Sequence, residues 1–283
     1  MNHNNDENIS EYKKALIENK NIISIRNKTI PNEFKDEVEL YSIRYISSEY
    51  EVEGYASFPK NKDKKTPLPG LIYNRGGNRE FGTINITMLC KLTRAGFVVM
   101  ASQYRGNCGG TGKEEFGGDD VYDVIKLIDI MLELNFVKKD GVYMLGQSRG
   151  GMMTYRACSI DRRIKAAVVM SGIADCVNMY NTREEGMKKV FHELVGGSPS
   201  ECPEEFRKRS AVNWAEKINT PLLICHGTAD SKVKVEQAYK MAEALKKAQK
   251  EYKLVIYENK EHSLKDTKWL KDAIKWLKQK DIL

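Results

Sequence analysis

The chain has 283 residues and carries 46 Lys and Arg against 39 Asp and Glu, which gives a formal net charge of +7 at pH 7. No basic run is interleaved with aromatic residues, so we expect no nucleic-acid partner. Six scattered cysteines form no C-x-x-C pair or metal-ligand spacing, so we expect no metal site and a reduced, cytoplasmic setting. No signal-like or bilayer-long apolar run is present, so we expect no membrane partner.

Aliphatic strand runs alternate with helical patterns, which favours an α/β fold with a mostly parallel sheet and helices on both faces. We expect a helical N-terminal extension over residues 1–35 and a single domain over residues 36–283. The eight predicted strands are 38–46, 51–58, 70–74, 97–102, 142–146, 166–171, 221–226 and 252–257. The first two strands should pair antiparallel, because only a few residues separate them.

Apolar residues at helical spacing predict the connecting helices. One helix contains Ile84, Met88, Leu92 and Ala95, and Gly96 should end it. Another helix follows Asp119 and Asp120, whose acidic side chains suit a helix N-terminus. Further helices are predicted at about 149–159, 233–249 and 266–279.

A small helical insert is predicted over residues 172–215, between two strands and above the sheet edge. It contains four aromatic residues, Tyr180, Phe191, Phe206 and Trp214. Any of them either lines a substrate pocket or packs the insert onto the body, and the sequence favours packing for each one taken singly.

Residues 146–151 read GQSRGG and directly follow the apolar run at 142–145. Ser148 therefore stands at the centre of a G-x-S-x-G sequence between a predicted strand and a predicted helix, the pattern of a nucleophile elbow. Gly146 and Gly150 lack a Cβ and let neighbouring chain approach the sharp turn. This pattern predicts a serine hydroxyl exposed at the edge of the sheet.

A serine nucleophile needs a base, and the base needs an orienting acid. Asp230 follows the strand-like run LLICHG, and His262 follows LVIY after a short polar loop. The spacing from Ser148 is 82 and then 32 residues, in the order serine, acid, histidine that is typical of α/β-hydrolases. All three side chains should emerge at the same edge of a parallel sheet, and we predict that they form a catalytic triad.

The other histidines are weaker candidates. His226 ends a strand too close to Asp230 to act as its separate base, so we interpret it as a packed residue that shapes the acid loop. His192 lies in an amphipathic stretch, and His3 lies in a polar tail. If Asp230 were not the acid, Asp175 would be the next candidate.

The run from Leu71 to the C-terminus resembles the catalytic domain of the prolyl oligopeptidase family. The resemblance rests on YRGNCGGTGKEEF at 104–116, GQSRGG at 146–151, SGIAD at 171–175 and HGTADSKVKVEQA at 226–238. It implies an α/β-hydrolase fold with Ser148 as nucleophile, Asp230 as acid and His262 as base. Large members carry a β-propeller, and the roughly 65 residues before the first core strand leave no room for one, so we expect none here.

The sequence departs from its relatives at the segment expected to form the oxyanion hole. Relatives often have histidine or tyrosine ahead of two glycines, whereas this chain has Arg75 ahead of Gly76 and Gly77. The glycines still allow the backbone to aim an N–H at the developing oxyanion, and we expect the N–H groups of Gly77 and Arg149 to do so. Arg75 is either part of the active site or a structural salt bridge.

We therefore expect a serine hydrolase that cleaves esters or peptide and amide bonds through an acyl-enzyme. Its substrate should be a small-molecule ester or a short peptide, with no metal or organic cofactor, and a homo-oligomer is compatible with the sequence. One alternative is a carboxylesterase for small acyl esters. Another is a non-catalytic binding protein of the same fold, which would not need all three triad residues.

Overall fold

The computed structural model describes residues 9–60 and 66–280. They form a nine-stranded sheet in the order β1-β2-β3-β5-β4-β6-β7-β8-β9. The strands are β1 (Ile22–Asn27), β2 (Val38–Ser47), β3 (Tyr50–Pro59), β4 (Leu68–Asn74), β5 (Val98–Ser102), β6 (Val137–Gln147), β7 (Ile164–Met170), β8 (Leu222–Gly227) and β9 (Tyr252–Tyr257). His3 lies outside the described residues. So do the start of the predicted N-terminal extension and the end of the predicted domain.

The strand pairing confirms a mostly parallel α/β sheet. Strands β4 to β9 pair parallel wherever they meet one another, whereas β1, β2, β3 and β5 pair antiparallel in that order. The predicted antiparallel start is confirmed by β2 and β3, in which Ile43 faces Gly54. The parallel strands bring their carboxyl ends to the same edge of the sheet, where a site is expected in this architecture.

The sheet has nine strands, one more than the eight predicted, because the segment predicted as a helical N-terminal extension also supplies a strand. The extension contains the short helix Glu11–Glu18 and also the strand β1. Only Ile22 of this strand is buried, so the strand lacks the alternation of buried and exposed residues that marks a half-buried strand. β1 exists because β2 supplies its backbone partners, with Ile25 opposite Ile43.

Helices cover both faces of the sheet, as expected. They are α1 (Glu11–Glu18), α2 (Ile86–Arg94), α3 (Val121–Glu133), α4 (Arg149–Ile160), α5 (Cys176–Thr182), α6 (Glu185–Leu194), α7 (Pro203–Arg209), α8 (Glu236–Lys247) and α9 (Trp269–Gln279). Helices α2 and α9 pack on one face, and α1, α3, α4 and α8 pack on the other. Gly96 follows α2 with a φ of 104°, which fits its predicted role as the stop. None of the helices in the described residues is long and apolar enough to cross a bilayer.

Helices α5, α6 and α7 lie between β7 and β8, within the stretch predicted as an insert. Their aromatic residues form a small apolar cluster of their own: Phe191 stacks on Phe206 with ring centroids 5.5 Å apart, and Tyr180 packs edge-on against both. Phe116 joins this cluster from the loop before α3. These aromatic side chains therefore pack the helices onto the body.

Candidate active site

Ser148 occupies the sharp turn between β6 and α4. Its backbone has φ 57° and ψ −123°, a conformation that costs a non-glycine residue on the order of 1–3 kcal/mol. The turn is held by the Ser148 N–H, which donates to the Met170 carbonyl at 2.9 Å. A Cβ on Gly150 would lie 2.0 Å from the Asn74 carbonyl oxygen, so the helix start can pack on the end of β4 only with glycine there.

Asp230 follows β8 and His262 follows β9, the last two strands of the sheet. His262 Nδ1 lies 2.7 Å from Asp230 Oδ2, and because a carboxylate only accepts, Nδ1 carries the proton. The other oxygen of Asp230 accepts from the N–H groups of Lys232 and Val233, both at 2.9 Å. Burial alone would raise the pKa of Asp230, but its contacts with His226 and His262 hold that pKa well below its usual range.

Ser148 and His262 both line a cavity of about 520 Å³ at this edge. Its lining includes the apolar side chains of Phe116, Ile173, Met179, Met187 and Val190, which together form what we call the apolar wall. Helix α6 and the end of α5 supply part of this wall, while Tyr180, Phe191, Phe206 and Trp214 are not among the described residues that line it. The cavity thus places a serine hydroxyl and an imidazole beside an apolar binding surface.

The remaining candidate residues lie elsewhere or contact the acid. His226 is fully buried, and its Nε2 lies 2.8 Å from the Val233 carbonyl oxygen and 3.2 Å from Asp230 Oδ2. This position agrees with a histidine that shapes the acid loop. Asp175 caps α5 and pairs with Lys240 at 2.8 Å. His192 contacts Tyr180 on the insert, 3.0 Å from its hydroxyl.

The loop after β4 carries Gly76 and Gly77 alongside the nucleophile. A Cβ built on Gly76 would lie 3.1 Å from the Ser148 Cβ, which shows how closely this loop passes the turn. Gly77 has a φ of 71°, and a Cβ there would lie 2.1 Å from the Phe81 carbonyl oxygen. Glycine is required at position 77 both for the backbone conformation and for the space.

Arg75 is buried beneath this loop, with 1% of its surface exposed. Its guanidinium donates to backbone carbonyls of Gln103 and Arg79, each at 2.9 Å, and reaches three further carbonyls at 3.1–3.4 Å: those of Gly76, Phe81 and Gly82. No carboxylate of the described residues forms a salt bridge with it, so its partners in this part of the chain are backbone carbonyls. Burial lowers the pKa of Arg75. Arg75 lines the cavity and also fixes the course of residues 76–82.

Arg149, the residue after the nucleophile, has a buried side chain that the sequence did not explain. Its guanidinium pairs with the buried carboxylates of Glu114 and Asp120, the latter at 2.5 Å. It also lies 4.4 Å from the ring centre of Tyr104 and reaches the Gly77 carbonyl oxygen at 3.3 Å. Burial lowers the pKa of Arg149.

Three residues beneath the site were missed at the level of sequence: Tyr104, Glu114 and Asp120. Tyr104 donates its hydroxyl proton to the Arg75 carbonyl at 2.9 Å. Asp120 was expected to serve the start of α3, but its carboxylate instead accepts from Gly117 N–H at 3.0 Å and binds Arg149. Burial raises the pKa of Asp120 to about 6. The signal was present as acidic residues within and just after the glycine-rich run 104–116.

The described residues contain no group of three or more His, Cys, Asp or Glu side chains that is placed to hold a metal ion. The fold and the strained serine turn define an α/β-hydrolase. A family model described as "Prolyl oligopeptidase family" matches residues 84–281. The chain belongs to this family, as its motifs indicated, and it is a serine-type peptidase.

The chain is also similar to individual peptidases. The chain is 29% identical over 247 residues to "Uncharacterized peptidase YtmA" of Bacillus subtilis (strain 168), covering 86% of this chain and 95% of that protein. It is 24% identical to the acylamino-acid-releasing enzyme of Sus scrofa, covering 77% of this chain and 32% of the relative. The solved acylaminoacyl peptidase of Pyrococcus horikoshii matches with a TM-score of 0.75 at 21% identity, over 88% of this chain and 43% of that one. The chain thus spans nearly all of one relative and less than half of the other two.

Proposed function

We propose that Ser148, Asp230 and His262 form a catalytic triad that cleaves its substrate through an acyl-enzyme. The observation that carries this proposal is the 2.7 Å contact between His262 Nδ1 and Asp230, made beside the cavity that Ser148 also lines. The contact fixes the proton on Nδ1, so the other imidazole nitrogen is free to accept the serine proton. In this proposal, three positions separated in sequence supply the nucleophile, the base and the acid of the mechanism.

In the proposed reaction, Ser148 Oγ attacks the substrate carbonyl carbon and its proton passes to His262. The carbonyl oxygen becomes an oxyanion, which accepts from the backbone N–H groups of Arg149 and Gly77. One such donor is typically worth about 3 kcal/mol of barrier. The C–N or C–O bond then breaks, and the leaving group takes the proton from His262. Water repeats the sequence on the acyl-enzyme and releases the acid and the free serine.

We propose short peptides with a blocked N-terminus as the substrate class. Among the described residues that line the cavity, Glu184 is the one carboxylate, and Arg183 binds it through two nitrogens at 2.7 and 2.8 Å. A free ammonium group in the cavity would therefore meet no unpaired acid, while a neutral acyl group would meet the apolar wall. The names of the acylamino-acid-releasing relatives point the same way.

Small acyl esters are the second candidate, because the apolar wall of Met179, Met187 and Val190 would also bind an acyl chain. The two candidates are separated by comparing kcat/KM for N-acetyl-aminoacyl p-nitroanilides, free aminoacyl p-nitroanilides and p-nitrophenyl esters of increasing acyl length. We expect the blocked anilides to exceed the free ones by at least about tenfold. Equal rates for both anilides would remove the blocked-peptide proposal, and turnover of esters alone would establish the esterase.

The triad is tested by labelling with a fluorophosphonate probe, which phosphonylates an activated serine. The wild-type protein should be labelled and Ser148→Ala should not, because the substitution removes the attacking oxygen. Ser159→Ala, on the distal end of the same helix, is the matched control and should label like wild type. Labelling that survives in Ser148→Ala would place the nucleophile elsewhere.

We also propose that residues 36–283 form one domain, with residues 1–35 as an extension and 172–215 as an insert. Tyr12 of α1 stacks on Phe58 of β3 with ring centroids 4.8 Å apart, which supports docking of the extension onto the domain. A cytoplasmic location is supported by the six cysteines, all of which are free. Limited proteolysis and cell fractionation test these two proposals separately.

A further inference from the structure

We propose that Glu114 is a positioning residue that holds both halves of the oxyanion hole in register. This inference rests on the proposed function, because it concerns the two backbone donors assigned above to Arg149 and Gly77. Glu114 belongs to neither the nucleophile turn nor the loop after β4. It lies in the run before α3 and is 4% exposed.

On one side, Glu114 holds the nucleophile turn. Its Oε1 pairs with the guanidinium of Arg149, whose own N–H is the first proposed oxyanion donor. The Arg149 side chain is 1% exposed and also binds Asp120. It is further confined between the rings of Tyr104 and Phe116, at 4.4 and 5.0 Å. A side chain held at this many points fixes the backbone of its own residue.

On the other side, Glu114 holds the loop that carries Gly77. Its Oε2 accepts the backbone N–H of Arg79 at 2.6 Å. The guanidinium of Arg149 closes the connection, because it also reaches the Gly77 carbonyl oxygen at 3.3 Å. One carboxylate therefore contacts the two chain segments that supply the two donors, 35 residues away on either side in sequence.

This arrangement has a catalytic consequence beyond stability. Two N–H groups stabilise an oxyanion only if both point at the same spot to within a fraction of an ångström. The neutral carbonyl of the bound substrate depends little on this alignment. The charged oxygen of the tetrahedral intermediate depends on it strongly. Loss of the Glu114 link should therefore reduce kcat and leave KM nearly unchanged.

The test compares Glu114→Gln with its neighbour variant Glu115→Gln. Glutamine keeps the size of the side chain but removes the charge that binds Arg149. Glu115 binds Asp119 N–H at 2.8 Å and contacts neither donor segment, which makes it the matched control. We expect Glu114→Gln to lower kcat by roughly tenfold to a hundredfold with KM within about twofold, and Glu115→Gln to behave as wild type.

A boronic-acid inhibitor supplies the readout that a merely structural role would not move. Boron accepts an electron pair from Ser148 Oγ, whose proton passes to His262, and the adduct presents a tetrahedral centre to the oxyanion hole. Its affinity for Glu114→Gln should fall by the same factor as kcat. A lowered melting temperature with unchanged kcat and unchanged boronate affinity would overturn the inference, and so would a fall in kcat without a loss of boronate affinity.

If Glu114→Gln does not fold, Glu114→Asp decides the matter, because it keeps the charge but is one methylene too short to span both segments. It should lower kcat at least about fivefold, and an unchanged kcat would overturn the inference. Failure of the proposed function looks different: wild-type protein would then not react with the fluorophosphonate probe at all.

Discussion

Asp230 is 2% exposed, yet two backbone N–H groups and two histidine rings lie within 3.2 Å of its carboxylate. These contacts outweigh the cost of burying the charge, so the carboxyl stays ionised beside His262. Arg75 is also buried and charged, but its partners are of another kind. Its buried charge is bound by carbonyl dipoles instead of a carboxylate. The buried charges of this site therefore depend on the hydrogen-bond partners that stabilise their ionised forms.

Asp230→Asn should reduce kcat by roughly a thousandfold or more, because an amide at this position can donate to Nδ1 and favours the wrong histidine tautomer. The measurement is kcat with the best substrate of the anilide and ester panel, with folding checked by circular dichroism. A near-normal rate would move the acid role to another residue.

Asp230→Asn should also make the free energy of unfolding depend less steeply on pH under acidic conditions. The pKa of Asp230 is depressed in the folded state below its ordinary value of 3.8. Its contribution is therefore complete above pH 3.8 and is lost as the pH falls towards the folded-state pKa. One such group gives a slope of up to about 1.4 kcal/mol per pH unit. Urea unfolding from pH 6 to pH 3 should show a shallower decline for Asp230→Asn than for wild type. The control Asp140→Asn, at a largely exposed surface pair, should follow wild type, and parallel curves for all three proteins would contradict the prediction.

At the scale of elements, the site depends on four connections at the carboxyl ends of parallel strands. The β6–α4 turn presents Ser148, the loops after β8 and β9 present Asp230 and His262, and the loop after β4 runs beside the nucleophile. The strands are fixed by the sheet, whereas the loop after β4 owes its course to a buried arginine. This loop is therefore the element most sensitive to a single substitution.

Arg75→Ala should lower both the rate and the stability, because it removes the donors that bind the carbonyls of residues 76–82. We expect kcat/KM to fall roughly tenfold to a thousandfold, mainly through kcat, together with a lower melting temperature. Arg94→Ala, at an exposed arginine on α2, should leave kcat/KM unchanged. A lower melting temperature with a normal rate for Arg75→Ala would show that the loop finds its active course without the guanidinium.

At the scale of the whole molecule, the substrate cavity lies between the sheet edge and the helices that follow β7. The sheet edge supplies Ser148 and His262, and α6 supplies Met187 and Val190. The aromatic cluster around Phe191 packs α5, α6 and α7 together, so these helices can carry a specific wall. In the proposed function, the reacting side chains and the apolar wall therefore lie in different parts of the fold.

Met187→Ala should lower kcat/KM for substrates with large apolar acyl groups by roughly tenfold, because apolar contact area is lost from the wall. Rates for acetyl substrates should change little. Lys189→Ala, on the same helix but exposed, is the control. An equal loss for large and small acyl groups would show that Met187 supports the helix and does not select the substrate.

The sequence by itself determined three things: that each candidate residue follows a strand, that Ser148 lies in a sharp turn, and the family to which the chain belongs. These features depend on signals within a few residues of one another: an apolar run, a glycine turn and a polar residue directly after a strand. Ser148, Asp230 and His262 could be named for that reason, and the sheet brings Asp230 and His262 into contact.

Only the tertiary structure decided what surrounds them. The sequence of β1 does not predict a strand. It forms one because β2 supplies its backbone hydrogen-bond partners. The binding partners of Arg75 and the link made by Glu114 join segments tens of residues apart. A buried charge can be balanced by carbonyls or by carboxylates, and sequence spacing does not distinguish these solutions. The tertiary structure selects between them, because it determines which chain segments lie next to a buried charge.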